Sequence, residues 1–364
     1  MKRYDLVVIG GGNTGLGVAN RVSAAGRRVV LVDKGPVGGL CSLAGCNPKK
    51  VFVRASEVLD EVRRAGDHGI RTGEVSIDWE EVWRRKHAFT DSVPESTERG
   101  LASKGVERIH GVARFVSPDT LIAADEELHA DAFVIATGST PRRLTFPGAD
   151  LVQTTDEILE LRRPPERMVI LGAGVVAFEF GFVFARVGTK VTILMHSTRA
   201  LAGFDDDFAA HAVDFGRSIG IEFVPSTTIA RIRPTGDRFA VDFTHEAGSD
   251  VREADFVLNA AGRVPAIDQL DLPAANVETW RRGVLVDDYL RSRSNRRVFA
   301  GGDVHGMFQL SPVASYEGRV IARNYLEGDV MKADYKVVPQ AIYTTPPLAT
   351  VGWTRRRRVR VAAR

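Results

Sequence analysis

The chain has 364 residues, enough for about two domains of roughly 150 residues each. With 44% hydrophobic and 26% charged residues, its composition excludes a disordered or collagen-like chain. The 49 Lys and Arg residues against 46 Asp and Glu give a net charge of +3, but residues 354–364 supply six Arg and no acid, so the remainder carries −3. Because a short tail creates the positive balance, we expect no nucleic-acid partner.

Cysteine usage and hydropathy indicate the compartment. Cys41 and Cys46 are the two cysteines of the sequence, which excludes a secreted disulfide framework. Asp5 and the glycines that follow interrupt the first apolar stretch, so it does not match a signal peptide. The most apolar window, Met168–Ala185, contains Glu179, and a charge at the centre of a membrane span is costly. We therefore expect a cytoplasmic enzyme without a membrane span.

The first predicted unit is a strand, a glycine turn, a helix and a second strand. Apolar residues Leu6–Ile9 predict the strand, residues 10–15 form the turn, and Leu16–Ala25 has helical spacing. Val29–Val32 forms the next strand and ends at Asp33. This order of elements is typical of a nucleotide-binding unit.

The glycine turn itself matches a dinucleotide-binding pattern. Gly10, Gly12 and Gly15 follow a strand and open a helix, and Asp33 lies 23 residues after Gly10. Such glycines let backbone N–H groups and the helix N-terminus approach a pyrophosphate. An acid at this distance can accept hydrogen bonds from a ribose hydroxyl. The turn therefore predicts a bound dinucleotide.

The middle of the chain predicts a helix followed by short strands. The helix runs from about Pro48 to Ala65. Pro94 excludes one unbroken helix in the stretch that ends at Gly105. The strand-like pieces that follow are Arg108–Phe115, Thr120–Ala123 and Phe133–Ala136.

The same unit recurs 162 residues after the first, measured from Gly10 to Gly172. Val169–Leu171 predicts its strand, and Gly172 and Gly174 its turn. Met195 lies 23 residues after Gly172, the spacing that separates Asp33 from Gly10. The matching register indicates a second dinucleotide-binding unit.

The second unit differs from the first at the position of the acid. Ala177 replaces the third glycine, and Met195, followed by His196 and Arg199, stands where the first unit has its carboxylate. A carboxylate there would repel a 2′-phosphate, whereas Arg199 and His196 could pair with one. We therefore expect NADP rather than NAD. The alternative is that His196 and Arg199 are solvated loop residues.

The last third of the chain predicts two strands, a helix and the beginning of another sheet. These elements are Phe256–Ala260, Val298–Ala300, Pro312–Glu327 and Lys336–Trp353, in that order.

Cys41 and Cys46 are separated by four residues just before the helix predicted from Pro48. A helix N-terminus stabilises a thiolate, which would favour an ionised Cys46. A thiolate with a neighbour within disulfide reach can store two electrons reversibly. With one nucleotide unit for a flavin and one for a nicotinamide, hydride would pass to the flavin and then to the disulfide. The alternative is that the two cysteines only pack.

Together these residues resemble the class I flavoprotein disulfide reductases, a family that includes glutathione reductase, dihydrolipoamide dehydrogenase and mercuric reductase. The likeness rests on Gly39, on the cysteine pair and on Pro48-Lys49-Lys50, and it extends to Trp353. It implies an α/β fold of two Rossmann-like three-layer domains. A discontinuous FAD-binding domain would comprise 1–148 and 266–335, with an NAD(P)-binding domain, 149–265, inserted in it.

The resemblance also implies roles for individual residues. Cys41 would attack the substrate disulfide, Cys46 would face the flavin, and Lys50 would pair with Glu179 and assist hydride transfer. The residues expected to bind FAD are Gly10, Gly12, Asn13, Thr14, Gly15, Asp33, Lys50, Ala136, Thr137, Gly138, Asp303, Leu310, Pro312 and Ala314. Those expected to bind NAD(P) are Gly172, Gly174, Val175, Val176, Glu179, His196, Arg199 and Gly262. We expect no metal site.

Departures from the family pattern leave the acceptor open. Asn20 stands where glutathione reductases have an Arg, and Val175 stands where many relatives have an aromatic gate. The glutamate at position 317, Glu317, resembles dihydrolipoamide dehydrogenases more than glutathione reductases at this position. We expect a small-molecule disulfide or a related acceptor. The alternatives are a diaphorase or quinone reductase without disulfide turnover, and a non-catalytic truncated remnant.

The end of the sequence departs furthest from the family. Residues 336–364 resemble the start of the dimerisation domain and then become an Arg-rich tail. The family is homodimeric, so this pattern predicts that most of the interface domain is missing through truncation or a frameshift.

Overall fold

A computed structural model describes residues 2–352 and 354. Residues 355–364, which form the Arg-rich tail, lie outside the described residues. The chain divides into two compact units. Of the described residues, unit 1 comprises 2–46, 89–140 and 263–336, and unit 2 comprises 47–88, 141–262, 337–352 and 354.

The elements run along the described chain as follows. The helices are α1 (Asn13–Ala24), α2 (Gly39–Leu43), α3 (Cys46–Arg63), α4 (Trp79–Thr90), α5 (Val93–Ala102), α6 (Thr155–Ile158), α7 (Val175–Arg186), α8 (Asp206–Ser218) and α9 (Ser311–Glu327). The first ten strands are β1 (Lys2–Ile9), β2 (Val29–Asp33), β3 (Glu107–His110), β4 (Arg114–Ser117), β5 (Thr120–Ala123), β6 (Glu126–Ile135), β7 (Ser139–Pro141), β8 (Arg167–Leu171), β9 (Lys190–Leu194) and β10 (Glu222–Val224). The others are β11 (Thr228–Thr235), β12 (Arg238–His245), β13 (Gly248–Ala254), β14 (Phe256–Asn259), β15 (Arg263–Pro265), β16 (Thr279–Trp280), β17 (Gly283–Val284), β18 (Val298–Ala300), β19 (Pro339–Ile342) and β20 (Leu348–Val351).

Unit 1 is built on a seven-stranded sheet in the order β3-β2-β1-β6-β5-β4, with β18 paired to the end of β6. The β3, β2, β1, β6 and β18 pairs are parallel, whereas β5 and β4 add an antiparallel edge. The continuous apolar run of β1 is typical of a parallel strand that is covered on both faces. This arrangement places the carboxyl ends of β1, β2 and β6 at one edge, where parallel sheets bind ligands.

The sheet of unit 1 separates two hydrophobic clusters. Val7 and Ile9 belong to one cluster, and Leu6 and Val8 to the other. Because side chains alternate along a strand, β1 supplies both clusters with fully or almost fully buried residues. The sheet is thus buried on both faces, which fixes the strand ends that carry the glycine turn.

Unit 2 repeats the pattern on a smaller scale. Its four parallel strands lie in the order β10-β9-β8-β14, and β11, β12 and β13 form a separate antiparallel sheet. Val169 and Leu171 of β8 pack in one cluster with Val241 and Phe243 of β12. The antiparallel sheet therefore covers one face of the parallel sheet.

The predicted α/β class with two parallel-sheet units is confirmed, and the differences are local. The third helix begins at Cys46 rather than near Pro48, and a short helix, Gly39–Leu43, precedes it. The break predicted at Pro94 occurs where α4 ends at Thr90 and α5 begins at Val93. Among residues 2–352 and 354, none of the helices combines the length and the hydropathy that a membrane crossing requires.

Candidate functional site

The first glycine turn connects β1 to α1 in unit 1. Gly10 has a φ of +108°, and a Cβ there would lie 2.3 Å from the carbonyl oxygen of Ala136. A Cβ on Gly15 would lie 1.9 Å from the carbonyl oxygen of Gly10. These two glycines are required for close packing of the strand ends and the helix. At Gly12 the nearest atom to a Cβ is 3.8 Å away, so this glycine leaves space above the helix N-terminus.

Asp33, at the carboxyl end of β2, holds this turn together. Its Oδ2 accepts a hydrogen bond from the Gly11 N–H at 2.5 Å, and its Oδ1 accepts one from the Gly35 N–H at 2.8 Å. A carboxylate also has further lone pairs for a ligand hydroxyl. The geometry therefore allows Asp33 to shape the turn and to bind a ribose at the same time.

Two features of unit 1 fit a bound dinucleotide. Helix α1 begins after Gly12 with no side-chain cap and no acid in its first turn, so its first N–H groups remain available to an anion. The buried hydroxyl oxygen of Thr137, two residues after the end of β6, has no hydrogen-bond partner among the described residues. Buried polar atoms are almost always paired, so an unpaired hydroxyl beside the turn indicates that a ligand completes it.

The beginnings of α1 and α9 lie side by side, although the sequence separates them widely. Thr14 Oγ1 donates to the carbonyl oxygen of Ala314 at 2.9 Å, and Asn13 Nδ2 reaches the carbonyl oxygen of Ser311 at 3.4 Å. Ser311 Oγ in turn lies 3.1 Å from Cys46 Sγ. The structure thus brings the glycine turn, the start of α9 and one of the two cysteines together.

The two cysteines lie on two successive helices. Cys41 is within α2, and Cys46 is the first residue of α3. Both are partly buried. The position of Cys46 places its sulfur at a helix N-terminus, where partial positive charge stabilises a thiolate.

Asp303 lies in the 3-10 turn Gly302–His305, which follows β18. Its Oδ2 accepts a hydrogen bond from Ser139 Oγ at 2.7 Å, and Ser139 Oγ also accepts one from Arg263 Nε at 2.9 Å. Burial raises the pKa of the Asp303 carboxyl above its ordinary value, although Ser139 and Arg263 act in the opposite direction. The turn thus presents a partly buried acid beside β7.

Sequence reasoning missed a buried cluster around Glu317. This side chain is 0% exposed, and its carboxylate accepts hydrogen bonds from the Gly302 N–H at 2.5 Å and from the Tyr335 hydroxyl at 2.6 Å. His305 Nε2 lies 2.8 Å from the same carboxylate. Burial, followed by the charge of Glu317, raises the pKa of Tyr335. In the sequence Glu317 carries only a family likeness, and no spacing signal connects it with Tyr335.

The second glycine turn, in unit 2, repeats the geometry of the first. Gly172 has a φ of +115°, and a Cβ there would lie 2.4 Å from the carbonyl oxygen of Ala260. Gly174 caps α7, and a Cβ there would meet nothing within 4 Å. Ala177 is buried at the third glycine position, and Val175 is 40% exposed at the start of α7. The turn leaves the same open space above a helix N-terminus as the first one does.

The expected ion pair between Lys50 and Glu179 is corrected by the structure. Lys49 Nζ lies 2.5 Å from Glu179 Oε2, with side chains 12% and 4% exposed. Lys50 Nζ instead lies over the ring of Tyr343, 4.4 Å from its centroid. Successive helical residues point about 100° apart, and in this arrangement Lys49 faces Glu179 while Lys50 faces the ring. Lys49 and Lys50 follow Cys46 by three and four residues. This spacing alone does not show which of the two lysines faces Glu179.

The loop after β9 carries the residues expected to select NADP. Arg199 Nε lies 2.6 Å from Asp206 Oδ1, and the guanidinium also donates to the carbonyl oxygen of Phe204. His196 is exposed. Arg199 is therefore held at the start of α8 rather than extended into solvent.

The remaining expected site residues lie at strand ends or helix starts. Ala136 is buried directly after β6, and Gly138 lies two residues further on with a φ of +70°. Leu310 and Pro312 flank the first residue of α9, Val176 is in the first turn of α7, and Gly262 lies three residues after β14 with a φ of +104°.

Comparisons with known proteins agree with this geometry. A sequence model of a family described as pyridine nucleotide-disulphide oxidoreductase matches residues 4–318. The chain is 32% identical over 355 residues to mercuric reductase from Bacillus cereus and 32% identical over 361 residues to dihydrolipoyl dehydrogenase from Bacillus subtilis (strain 168). Each match covers 96% of this chain, but 56% of the first protein and 78% of the second.

A solved structure is similar over the whole chain. It is described as the Cu(II) complex of the HOCl-induced flavoprotein disulfide reductase RclA from Escherichia coli. The TM-score is 0.88 at 26% sequence identity, and the match covers 100% of this chain and 80% of that one.

Proposed function

The chain belongs to the pyridine nucleotide-disulphide oxidoreductase family, and from this premise we propose that it passes hydride from NAD(P)H through FAD to Cys41 and Cys46, and on to a disulfide-type acceptor. One observation carries the proposal: the cysteine at the start of α3, the start of α9 and the first glycine turn meet within hydrogen-bond distances.

The residues of unit 1 fit FAD. The uncapped N-terminus of α1 would bind its pyrophosphate, with the space at Gly12 admitting the phosphate oxygens. Asp33 would accept from the ribose, and the unpaired Thr137 hydroxyl would gain a partner. Asp303 would bind the ribityl chain. When bound, FAD would accept hydride from a reduced pyridine nucleotide and supply an electron pair to a disulfide.

The cysteine pair would carry out the exchange with the acceptor. A Cys41 thiolate would attack one sulfur of the acceptor, forming a mixed disulfide and releasing one thiol. Cys46 would then attack the Cys41 sulfur, which restores the internal disulfide and releases the second thiol. Overall, NADPH, one proton and one acceptor disulfide would give NADP⁺ and two thiols. The Ser311 hydroxyl, 3.1 Å from Cys46 Sγ, supports a thiolate there if it donates.

The Lys49–Glu179 pair would serve the nicotinamide in unit 2. Glu179 lies one turn after the open glycine turn, and its charge is balanced by Lys49 at 2.5 Å. A nearly buried charge without its partner would be strongly disfavoured. The pair therefore holds Lys49 and Glu179 together at the place where a reduced nicotinamide would be oriented.

We propose NADP as the preferred nucleotide. Met195 removes the acid that would repel a 2′-phosphate, and Arg199 stands four residues later. Because Asp206 shares the Arg199 guanidinium, Asp206→Ala is expected to raise kcat/KM for NADPH relative to NADH, and Arg199→Ala to lower that ratio. Steady-state kinetics with both nucleotides measure it, with Asp214→Ala, an exposed acid on α8, as the control. Equal ratios in all variants would contradict the assignment.

The acceptor is proposed only by class. The mercuric reductase and the dihydrolipoyl dehydrogenase named above match at the same identity, 32%. Neither therefore favours one acceptor chemistry. A diaphorase or quinone reductase without disulfide turnover and a non-catalytic remnant are the alternatives.

The first test is an anaerobic titration of the purified protein with NADPH and with NADH, followed by visible absorbance. The proposal predicts a bound flavin that is reduced and then shows a long-wavelength charge-transfer band from the Cys46 thiolate. Cys46→Ala should abolish the band, while Ser42→Ala, between the two cysteines, should retain it. Protein without flavin would support the remnant, and flavin reduction without the band would support the diaphorase.

A further inference from the structure

The backbone of Tyr343 is held against α7 in unit 2. The Tyr343 N–H donates to Glu179 Oε1 at 3.0 Å. Further along α7, the buried guanidinium of Arg186 donates to the carbonyl oxygen of Thr345. The segment is therefore fixed at two points, and neither contact uses the Tyr343 side chain.

The ring of Tyr343 faces two adjacent lysines of α3. Ile342 and Thr344 are 0% and 1% exposed, so the alternation of an extended chain turns the Tyr343 side chain the other way. Lys50 Nζ lies 4.4 Å from the ring centroid and Lys49 Nζ lies 5.1 Å from it. Both distances are within the roughly 6 Å at which a cation is attracted to the face of a ring.

Two cations thus lie beside the ring of the residue whose backbone N–H donates to Glu179. Lys49 forms the ion pair, with Nζ 2.5 Å from Oε2. Lys50 lies closer to the ring than Lys49 does, and Lys50 is exposed. An attraction of this kind gives Lys50 a place away from the carboxylate.

We propose that Tyr343 is a positioning residue: by holding Lys50 on its ring, it assigns Lys49 to Glu179 and keeps that pair in one arrangement. The functional consequence rests on the proposed role of Glu179 toward the nicotinamide. Without the ring, Lys50 loses its place and competes with Lys49 for Glu179, so the pair occupies two arrangements.

The test uses Tyr343→Ala and Tyr343→Phe, each alone and combined with Lys49→Met, in the flavin-loaded protein. The rate of flavin reduction by saturating NADPH is measured by rapid mixing under anaerobic conditions. Tyr343→Ala is expected to slow it about fivefold, the scale of one partly exposed cation–π contact. Lys49→Met should slow flavin reduction less in the Tyr343→Ala background than alone, because Lys50 then pairs with Glu179. This non-additivity is the signature of coupling between the residues. Tyr343→Phe should behave as the original chain.

A second readout does not depend on activity. Labelling with an amine-reactive reagent, followed by mass spectrometry, compares the modification of Lys50 with that of Lys34 in unit 1. The ratio should rise in Tyr343→Ala and stay unchanged in Tyr343→Phe. Tyr289→Ala is the matched control. The centroid of the Tyr289 ring, in unit 1, lies 5.7 Å from Lys332 Nζ. This substitution should change neither the rate of flavin reduction nor the labelling ratio.

The outcomes separate the two proposals. Additive effects of the Tyr343→Ala and Lys49→Met changes, with unchanged labelling of Lys50, would overturn the role of Tyr343. A protein whose flavin NADPH does not reduce would instead overturn the proposed function, and the labelling ratio would still decide the lysine assignment.

Discussion

Two neighbouring acids in unit 1, the buried Glu317 and the partly buried Asp303, differ in the partners of their carboxyl groups. Glu317 is surrounded by donors from Gly302, His305 and Tyr335, so its carboxylate is fully satisfied. Asp303 is held by Ser139, but burial and then the charge of Glu317 raise its pKa. Asp303 therefore carries a cost of ionisation that a ligand or a substitution can relieve.

The raised pKa of Asp303 gives a pH dependence with a definite sign. The folded state binds the Asp303 proton more tightly than the unfolded state, so its contribution to the free energy of unfolding falls as pH rises from about 3.9 to the raised pKa. Asp303→Asn removes this loss. Compared with the original chain, the variant without flavin should therefore gain more stability at pH 7 than near pH 4.

Urea unfolding at the two pH values measures the Asp303 effect. Asp287→Asn provides a control of opposite sign, since Arg296 and backbone N–H groups outweigh the effect of burial and lower the pKa of Asp287. That variant should lose more stability at pH 7 than near pH 4. A pH-independent difference for Asp303→Asn would contradict the argument.

At the scale of elements, the two glycine turns have similar backbone geometry, but the glycines within them have different surroundings. Gly10 and Gly172 both have a positive φ and lie against the carbonyl oxygen that ends a neighbouring strand. Gly15 is packed against backbone, whereas Gly174 borders open space. One class of glycine stabilises the fold, and the other makes room for a ligand.

This difference predicts opposite results for two alanine substitutions. Gly15→Ala places a Cβ 1.9 Å from the Gly10 carbonyl oxygen, and overpacking of this kind costs about 1–3 kcal/mol or more. Gly174→Ala meets nothing within 4 Å and should leave the free energy of unfolding within about 0.5 kcal/mol of the original. It should weaken NADPH binding instead. Chemical denaturation and NADPH fluorescence titration measure the two effects, and a large loss of stability in Gly174→Ala would refute this division of roles.

The elements of the two nucleotide units were predictable because their signals are local. A strand, a glycine turn and a helix follow within about twenty-five residues, and their pattern alone fixes β1, α1, β8 and α7. The lysine that pairs with Glu179 was not predictable, since it depends on the helical phase of α3 against α7. The Glu317 cluster was equally hidden, because its members come together only through tertiary packing. The antiparallel sheet of unit 2 was also missed.

At the scale of the whole molecule, the two units should respond to different ligands. If unit 1 binds FAD and unit 2 binds NADPH, each ligand should protect the amides of its own glycine turn, because ligand binding to the native state suppresses local opening. Hydrogen exchange followed by mass spectrometry should show FAD protecting residues 10–15 and 136–138, and NADPH protecting residues 172–176. Protection of both turns by NADPH in flavin-free protein would contradict the separation.

Unit 1 is composed of segments that lie far apart in the sequence, and this has a consequence for the synthesis of the chain. Its sheet and site need segments from three parts of the sequence, and the Thr14 hydroxyl bonds to a carbonyl 300 residues later. At about 5–20 residues per second, a ribosome needs roughly 15–60 s to make the intervening chain. Until β18 and α9 have been made, the apolar strands β1 and β6 lack these partners. We therefore expect this half of the protein to depend on chaperone protection more than a contiguous domain of the same size would.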